Sequence, residues 1–196
     1  QTDEADWQGS RLRVSRLGYT GEDGFEISLD NAVAADFAEA LMAGGLVTLA
    51  GLGARDSLRL EAGLCLYGQD LTPETTPVEA GLAWSIPRRR RETGGFPGAD
   101  SIIAQLRDGP PRKLVSILPE GRAPARAGTE ITADGQPVGT VTSGGFGPSI
   151  GAPLCLGYVD AAHAEIGATL DLMVRGKPRP ARIVPTPVVA HRYVRG

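Results

Sequence analysis

The sequence predicts an α+β region followed by a small antiparallel β-barrel or barrel-like sandwich. Three observations carry this. Two alternating apolar segments precede two segments of helical spacing in the first half. A linker-like DGPPR at residues 108–112 interrupts the pattern. After it, only short strand-like runs remain, broken by Gly, Pro and Asp-Gly turns.

In the first region, residues 11–17 (RLRVSRL) alternate and end at Gly18. Residues 24–30 (GFEISLD) alternate again, placing Phe25, Ile27 and Leu29 toward a core and Glu26 and Ser28 on the opposite face. The glycine-bounded GYTGED between them makes this pair a hairpin. Residues 31–43 (NAVAADFAEALMA) form a helix with Asn31 as its N-cap and Gly44-Gly45 as its stop. A second helix covers about residues 51–62, with Arg55 and Arg59 one turn apart. Residues 70–98 read as irregular, with a short helix over 99–107. The domain boundary falls in the linker, giving residues 1–110 and 111–196. In the second domain, KLVSILP, TEITADGQPVGTVTSG, LCLGYVD, ATLDLMVRG and PARIVPTPVV read as strands, and Asp134-Gly135 is the clearest hairpin signal.

Composition narrows the function. The chain has 196 residues and a formal net charge of −3, which supplies no general field for nucleic-acid binding. No apolar stretch approaches the roughly 20 residues that span a bilayer. Cys65 and Cys155, each in an apolar context, read as buried thiols in a reducing compartment. His163 and His191 are isolated from other metal-ligating side chains, which gives no metal site. Neither Ser57 nor Cys65 has a histidine near in sequence, so a hydrolase nucleophile has no support. The chain opens at Gln1 on a polar segment, which reads as a piece of a longer protein.

Three segments, GYTGEDGFEI (18–27), GLGARDSLRLEAGLCLYGQDL (51–71) and TPVEAGLAW (76–84) with the basic run after it, resemble the glycine cleavage T-protein family. Weaker matches are RAPAR (122–126), VGTVTSGGFGPS (138–149), LGYVD (156–160), VRGK (174–177) and PTPVVAHRYV (185–194). The polar, glycine and charged positions of the second segment have no generic structural explanation as a set. The resemblance implies a C-terminal half: part of a ferredoxin-like, folate-binding lobe, then the C-terminal barrel. It implies transfer of a methylene carbon from a lipoyl-bound aminomethyl group to tetrahydrofolate, with release of ammonia. The implied partner is the lipoyl-carrying H-protein, in the cytoplasm of a bacterium or the matrix of a mitochondrion. The family's catalytic aspartate is expected in the N-terminal half, so no residue here takes that role and this piece alone is expected to be inactive. Two other readings stay open: a non-catalytic folate-binding module, and the folate domain of a sarcosine or dimethylglycine dehydrogenase.

The resemblance also marks candidate ligand contacts. A pterin ring presents a guanidine-like edge of two donors, which one carboxylate accepts in a bidentate pair; Glu26 is that carboxylate. Without the resemblance, Glu26 would read as a solvated strand residue. Arg55 can clamp a carboxylate or a carbonyl. Tyr19 and Trp84 are candidate walls for a flat ring. Arg192, in the tail, matches a ligand-touching position, and Arg59 reads as structural. The run Arg88 to Arg91 would steer an acidic carrier. Glu26, Arg55 and Arg192 should meet in one concavity, and apolar surface should be exposed around residues 33–60.

Overall fold

The computed structural model describes residues 2–194. The polar opening forms a strand, β1 (Thr2–Trp7), which pairs antiparallel with β2 (Ser10–Arg16). The connecting Gln8-Gly9 has φ of 53° and 78°, the paired positive values of a two-residue primed hairpin turn. β3 (Phe25–Ser28) pairs with β2 and completes a sheet in the order β1-β2-β3. A 3-10 turn over Asn31–Val33 leads into α1 (Ala34–Ala43). Its cap is Asp30, whose side chain accepts from the Ala32 N–H at 2.8 Å, one residue before the expected Asn31. Either side chain suits that role, and the chain's path out of β3 selects Asp30.

The expected inward packing of Phe25 and Ile27 is not found. Every residue of β3 is exposed, Phe25 to 63%. β3 is an edge strand, and α1 meets the sheet mainly where the Phe37 and Trp7 rings touch edge to face at 5.2 Å. No residue of α1 is buried. Leu46, Val47, Leu49 and Leu52 are also exposed, so apolar surface lies open where the sequence placed it.

α2 (Leu52–Glu61) is the element that organises the molecule. Its last residues, Arg59, Leu60 and Glu61, are all buried. Beyond it, Thr76 and Glu79 form a capping box. The Glu79 N–H donates to Thr76 Oγ1 and the Thr76 N–H donates to the Glu79 carboxylate, both at 3.1 Å. The region expected to be irregular contains α3 (Arg88–Thr93), a single basic turn after Pro87. Its all-polar sequence shows no apolar periodicity by which to recognise it. α4 (Ala99–Asp108) follows. No helix among the described residues is long and apolar enough to cross a membrane.

The second half is a closed six-stranded antiparallel barrel, ordered β4-β7-β6-β5-β8-β9 with β9 returning to β4. Its strands are β4 (Arg112–Pro119), β5 (Glu130–Ala133), β6 (Gln136–Gly147), β7 (Ala152–Asp160), β8 (Thr169–Val174) and β9 (Lys177–Val184). Asp134-Gly135 turns β5 into β6 with φ of 50° and 75°, as its sequence predicts. The interior holds Val115, Ile117, Ile131, Val141, Cys155, Leu172 and Ile183. β7 is buried on both faces. Cys155 and Val159 point inward, while Leu154 and Leu156 point outward and close on Leu60 of α2. A strand covered on both sides reads as an unbroken apolar run, which explains LCLGY.

Two buried carboxylates fasten the first region to the barrel. Glu61 accepts from the Ser149 and Ile150 N–H groups at 2.7 and 3.0 Å and from Ser149 Oγ at 2.8 Å. Gly147 makes room for it, since a Cβ there would stand 2.7 Å from Glu61 Oε1. Asp70 receives Arg59 Nη1 and the Leu66 N–H on Oδ2, and Thr142 Oγ1 on Oδ1. Removing the buried Glu61 carboxylate leaves three donors of the turn before β7 without their acceptor. Glu61→Ala should therefore lower the stability of the complete protein by about 3 kcal/mol or more in urea titration. A loss under about 1 kcal/mol would show that water replaces the carboxylate at no great cost.

Candidate functional site

The residues expected to hold a ligand come from four separate segments, and Arg55 of α2 meets Tyr19 and Glu26 of one other. Arg55 lies one turn before the buried Arg59, so the pinned end of the helix fixes its direction. Its guanidinium carbon sits 4.5 Å from the centre of the Tyr19 ring, a cation–π contact. Its Nη2 lies 3.7 Å from Glu26 Oε1. Both partners of that ion pair are about half exposed, and such a pair contributes at most ~1 kcal/mol. A ligand with better hydrogen-bond geometry can therefore displace it.

A cavity of about 230 Å³ opens beside these groups, lined by Tyr19, Leu52, Arg55, Asp56, Arg59, Leu66 and Gln69. One wall is aromatic and apolar, and the remainder is polar. Tyr19 contributes its ring, because its hydroxyl is committed to the Cys65 carbonyl at 2.6 Å. Burial raises the Tyr19 phenol above its ordinary value, so it stays neutral. Burial also pushes the neighbouring Cys65 thiol up to about 11, which removes it as a thiolate nucleophile near neutral pH. Asp56 is held by Arg59 Nε at 2.8 Å. Burial works against the charge of Arg59, but Asp56 and Asp70 more than compensate and hold it above its ordinary value. The cavity thus offers fixed cations, one exposed carboxylate at Asp56 and the amide of Gln69, with Glu26 at its margin. It contains no nucleophile–base pair.

Two expected contacts lie elsewhere. Trp84 is 76% exposed, in a 3-10 turn over Ala83–Ser85, and does not line this cavity. Arg192 lies behind the GYTGED turn, not in the expected shared concavity. Its backbone N–H donates to the Gly21 carbonyl at 2.7 Å, and its Nε donates to Glu22 Oε1 at 2.7 Å. The tail is fixed along this path. The Val188 and Val189 N–H groups donate to the Glu61 carbonyl, and Tyr193 Oη donates to the Gly18 carbonyl. Glu22 captures Arg192 because the turn and the tail form a bridge at that pair.

Sequence reasoning missed Asp56, Gln69, Leu52 and Leu66. Their only signal was membership of the long second segment. A larger concavity is also new. About 660 Å³ in volume, it lies on the barrel, and four cations line it: Arg126, Arg175, Lys177 and Arg179. None of the four forms an ion pair with a described carboxylate. It joins the RAPAR and VRGK segments, which lie far apart in sequence.

Comparisons with known proteins agree on one family. The family model described as GCVT N-terminal domain matches residues 1–90. The model described as glycine cleavage T-protein C-terminal barrel domain matches residues 112–189. The chain is 47% identical over 191 residues to the mitochondrial aminomethyltransferase of Mesembryanthemum crystallinum, covering 96% of this chain and 47% of that protein. It is 50% identical over 184 residues to the mitochondrial aminomethyltransferase of Gallus gallus, covering 92% and 46%. The crystal structure of the glycine cleavage system aminomethyltransferase T from Bartonella henselae superposes with a TM-score of 0.89 at 45% identity, over 94% of this chain and 51% of that one. The chain spans about half the length of the curated relatives it matches. The two family models cover both the sheet-and-helix region and the barrel, and the chain belongs to the glycine cleavage T-protein family.

Proposed function

We propose that the complete protein carrying this chain is an aminomethyltransferase of the glycine cleavage system, and that the cavity between Tyr19, Arg55 and Gln69 receives tetrahydrofolate. One observation carries this reading: Tyr19 and Glu26, from one segment, meet Arg55, from another, at a cavity with an aromatic wall that Tyr19 and Arg55 line and Glu26 borders. In this reading Glu26 leaves Arg55 and accepts both donors of the pterin's guanidine-like edge. Tyr19 flanks the ring, and Arg55 turns to a carbonyl or carboxylate of the same ligand.

The reaction needs no covalent enzyme intermediate. N5 of tetrahydrofolate bonds to the methylene carbon of the aminomethyl group, N10 closes the bridge, and the bonds from carbon to nitrogen and to sulfur break. The two protons lost from N5 and N10 leave on ammonia and on the dihydrolipoyl sulfur. Catalysis of this kind rests on holding two large ligands together and stabilising charge at N5. The described residues supply the holding groups. We assign the group nearest N5 to the other half of the relatives' length.

The acidic lipoyl carrier would dock at the cationic cleft of the barrel in preference to the Arg88–Arg91 run. In α3, Arg88 is spent on Glu92, Arg90 on the Gly94 and Gly95 carbonyls and Arg91 on the Ile86 carbonyl. Three of the cleft's four cations, Arg175, Lys177 and Arg179, have no such partner among the described residues. Arg126 donates to the Gly144 carbonyl at 3.1 Å, next to Ser143, which touches Arg59 of the folate cavity. The two free cysteines suit a reducing compartment, either the cytoplasm of a bacterium or the matrix of a mitochondrion, the organelle named for the relatives.

Calorimetric titration of tetrahydrofolate into the complete protein tests the cavity. Glu26→Gln turns one acceptor into a donor facing donors and should weaken binding by about tenfold or more; an unchanged dissociation constant removes Glu26 from the site. For the carrier, the double change Arg126→Glu and Lys177→Glu should raise its KM at least about tenfold at low salt, with the KM for tetrahydrofolate unmoved. If Arg89→Glu has the larger effect, docking belongs to α3.

A further inference from the structure

β6 leaves regular pairing at one place. Its register with β7 shifts between Val141 and Ser143, a β-bulge centred on Thr142. In a regular strand, Thr142 and Ser143 would face opposite sides of the sheet. Here both hydroxyls reach the same polar cluster outside the barrel. Thr142 Oγ1 donates to Asp70. Ser143 Oγ accepts from Arg59 Nη2 at 2.8 Å and donates to Gln69 Oε1 at 3.3 Å. Ser143 is almost fully buried, and both of its partners line the cavity.

Those partners also hold the loop that forms the cavity's far wall. Arg59 Nη1 donates to the Leu64 carbonyl, and Asp70 accepts from the Leu66 N–H. Cys65, between them, accepts from Tyr19. The loop is thus tied to the bulge through Arg59 and Asp70, which hold its backbone, and through Gln69.

We propose that Ser143, aimed by the bulge at Thr142, is a positioning residue for the one-carbon transfer: it sets Arg59 and Gln69, and through them the loop from Leu64 to Asp70 that shapes the folate cavity. The inference rests on the folate reading above. It makes the barrel part of the site's scaffold as well as a neighbouring domain.

The test uses the complete protein with Ser143→Ala, Ser143→Thr and Gln69→Ala, and with Glu26→Gln as the reference for the folate reading itself. Labelling by a thiol reagent, resolved by peptide mass, follows Cys65 in the loop and Cys155 in the barrel interior. In Ser143→Ala, Cys65 should label about tenfold faster as the loop opens locally, with Cys155 protected. KM for tetrahydrofolate should rise about three- to tenfold while kcat at saturation stays within about twofold. Gln69→Ala should show the same pattern, and Ser143→Thr, which keeps the hydroxyl, should remain near the parent. Unchanged Cys65 labelling overturns the proposal, as does labelling of Cys155, which would mean that Ser143 only holds the barrel together. Faster Cys65 labelling with unchanged affinity, in a protein where Glu26→Gln does weaken binding, also overturns it. If Glu26→Gln leaves affinity unchanged too, the folate reading is at fault and the positioning role falls with it.

Discussion

Arg59 and Asp70 form an ion pair at 2.7 Å with both side chains essentially removed from water. Two such charges are costly to bury, and their attraction compensates only when the remaining donors and acceptors are also satisfied. They are satisfied here by Asp56, Leu64, Leu66, Thr142 and Ser143, which belong to α2, to the loop after it and to the barrel. The pair is therefore complete only when these three pieces are together. Its geometry explains an unusual burial pattern. Arg59, Leu60 and Glu61 are consecutive on a helix, so they point about 100° apart. All three can be buried only if the helix end is surrounded. The loop takes Arg59, the outer face of β7 takes Leu60, and the turn before β7 takes Glu61, whose backbone carbonyl also binds the tail.

The cavity beside Tyr19 and Arg55 follows from that anchor. A helix pinned at its C-terminal end presents its earlier turn in a fixed direction, and Arg55 and Asp56 occupy that turn. The sheet brings Glu26 to Arg55, and the GYTGED turn brings Tyr19. The cavity is thus built from the first region alone, and the barrel meets it through the contacts of Ser143 with Arg59 and Gln69. The apolar surface left open at Phe25, Leu46, Leu49 and Leu52 belongs to the first region, whereas the barrel is closed and filled.

Much of this was legible in the sequence, for identifiable reasons. The barrel announced itself through turn chemistry, since Asp134-Gly135 adopts the backbone that its residue types favour. Glu26, Arg55 and Tyr19 were readable from the family resemblance, and the structure brings them together. What escaped was long-range or uncovered. β1 and α3 carry almost no apolar residues, so periodicity is silent. Alternation in GFEISLD implies two faces but not that the apolar face is packed, and on this edge strand it is open. Arg192 was expected at the ligand, but the path of the tail pairs it with Glu22. Ser143 lies 84 residues from Arg59, and no local pattern announces that contact.

The Arg59–Asp70 pair, which meets the barrel at Ser143 and Thr142, is the interaction on which the packing of α2 and the loop after it depends. A double-mutant cycle measures this most directly, using Arg59→Met, Asp70→Leu and the double variant in the complete protein, followed by urea unfolding. Each single change leaves a buried charge without its partner and should cost about 3–5 kcal/mol, while the double variant should cost well under the sum, a coupling of at least about 2 kcal/mol. Single changes of less than about 1 kcal/mol that simply add would contradict the account, because they would show that the fold stands without the pair.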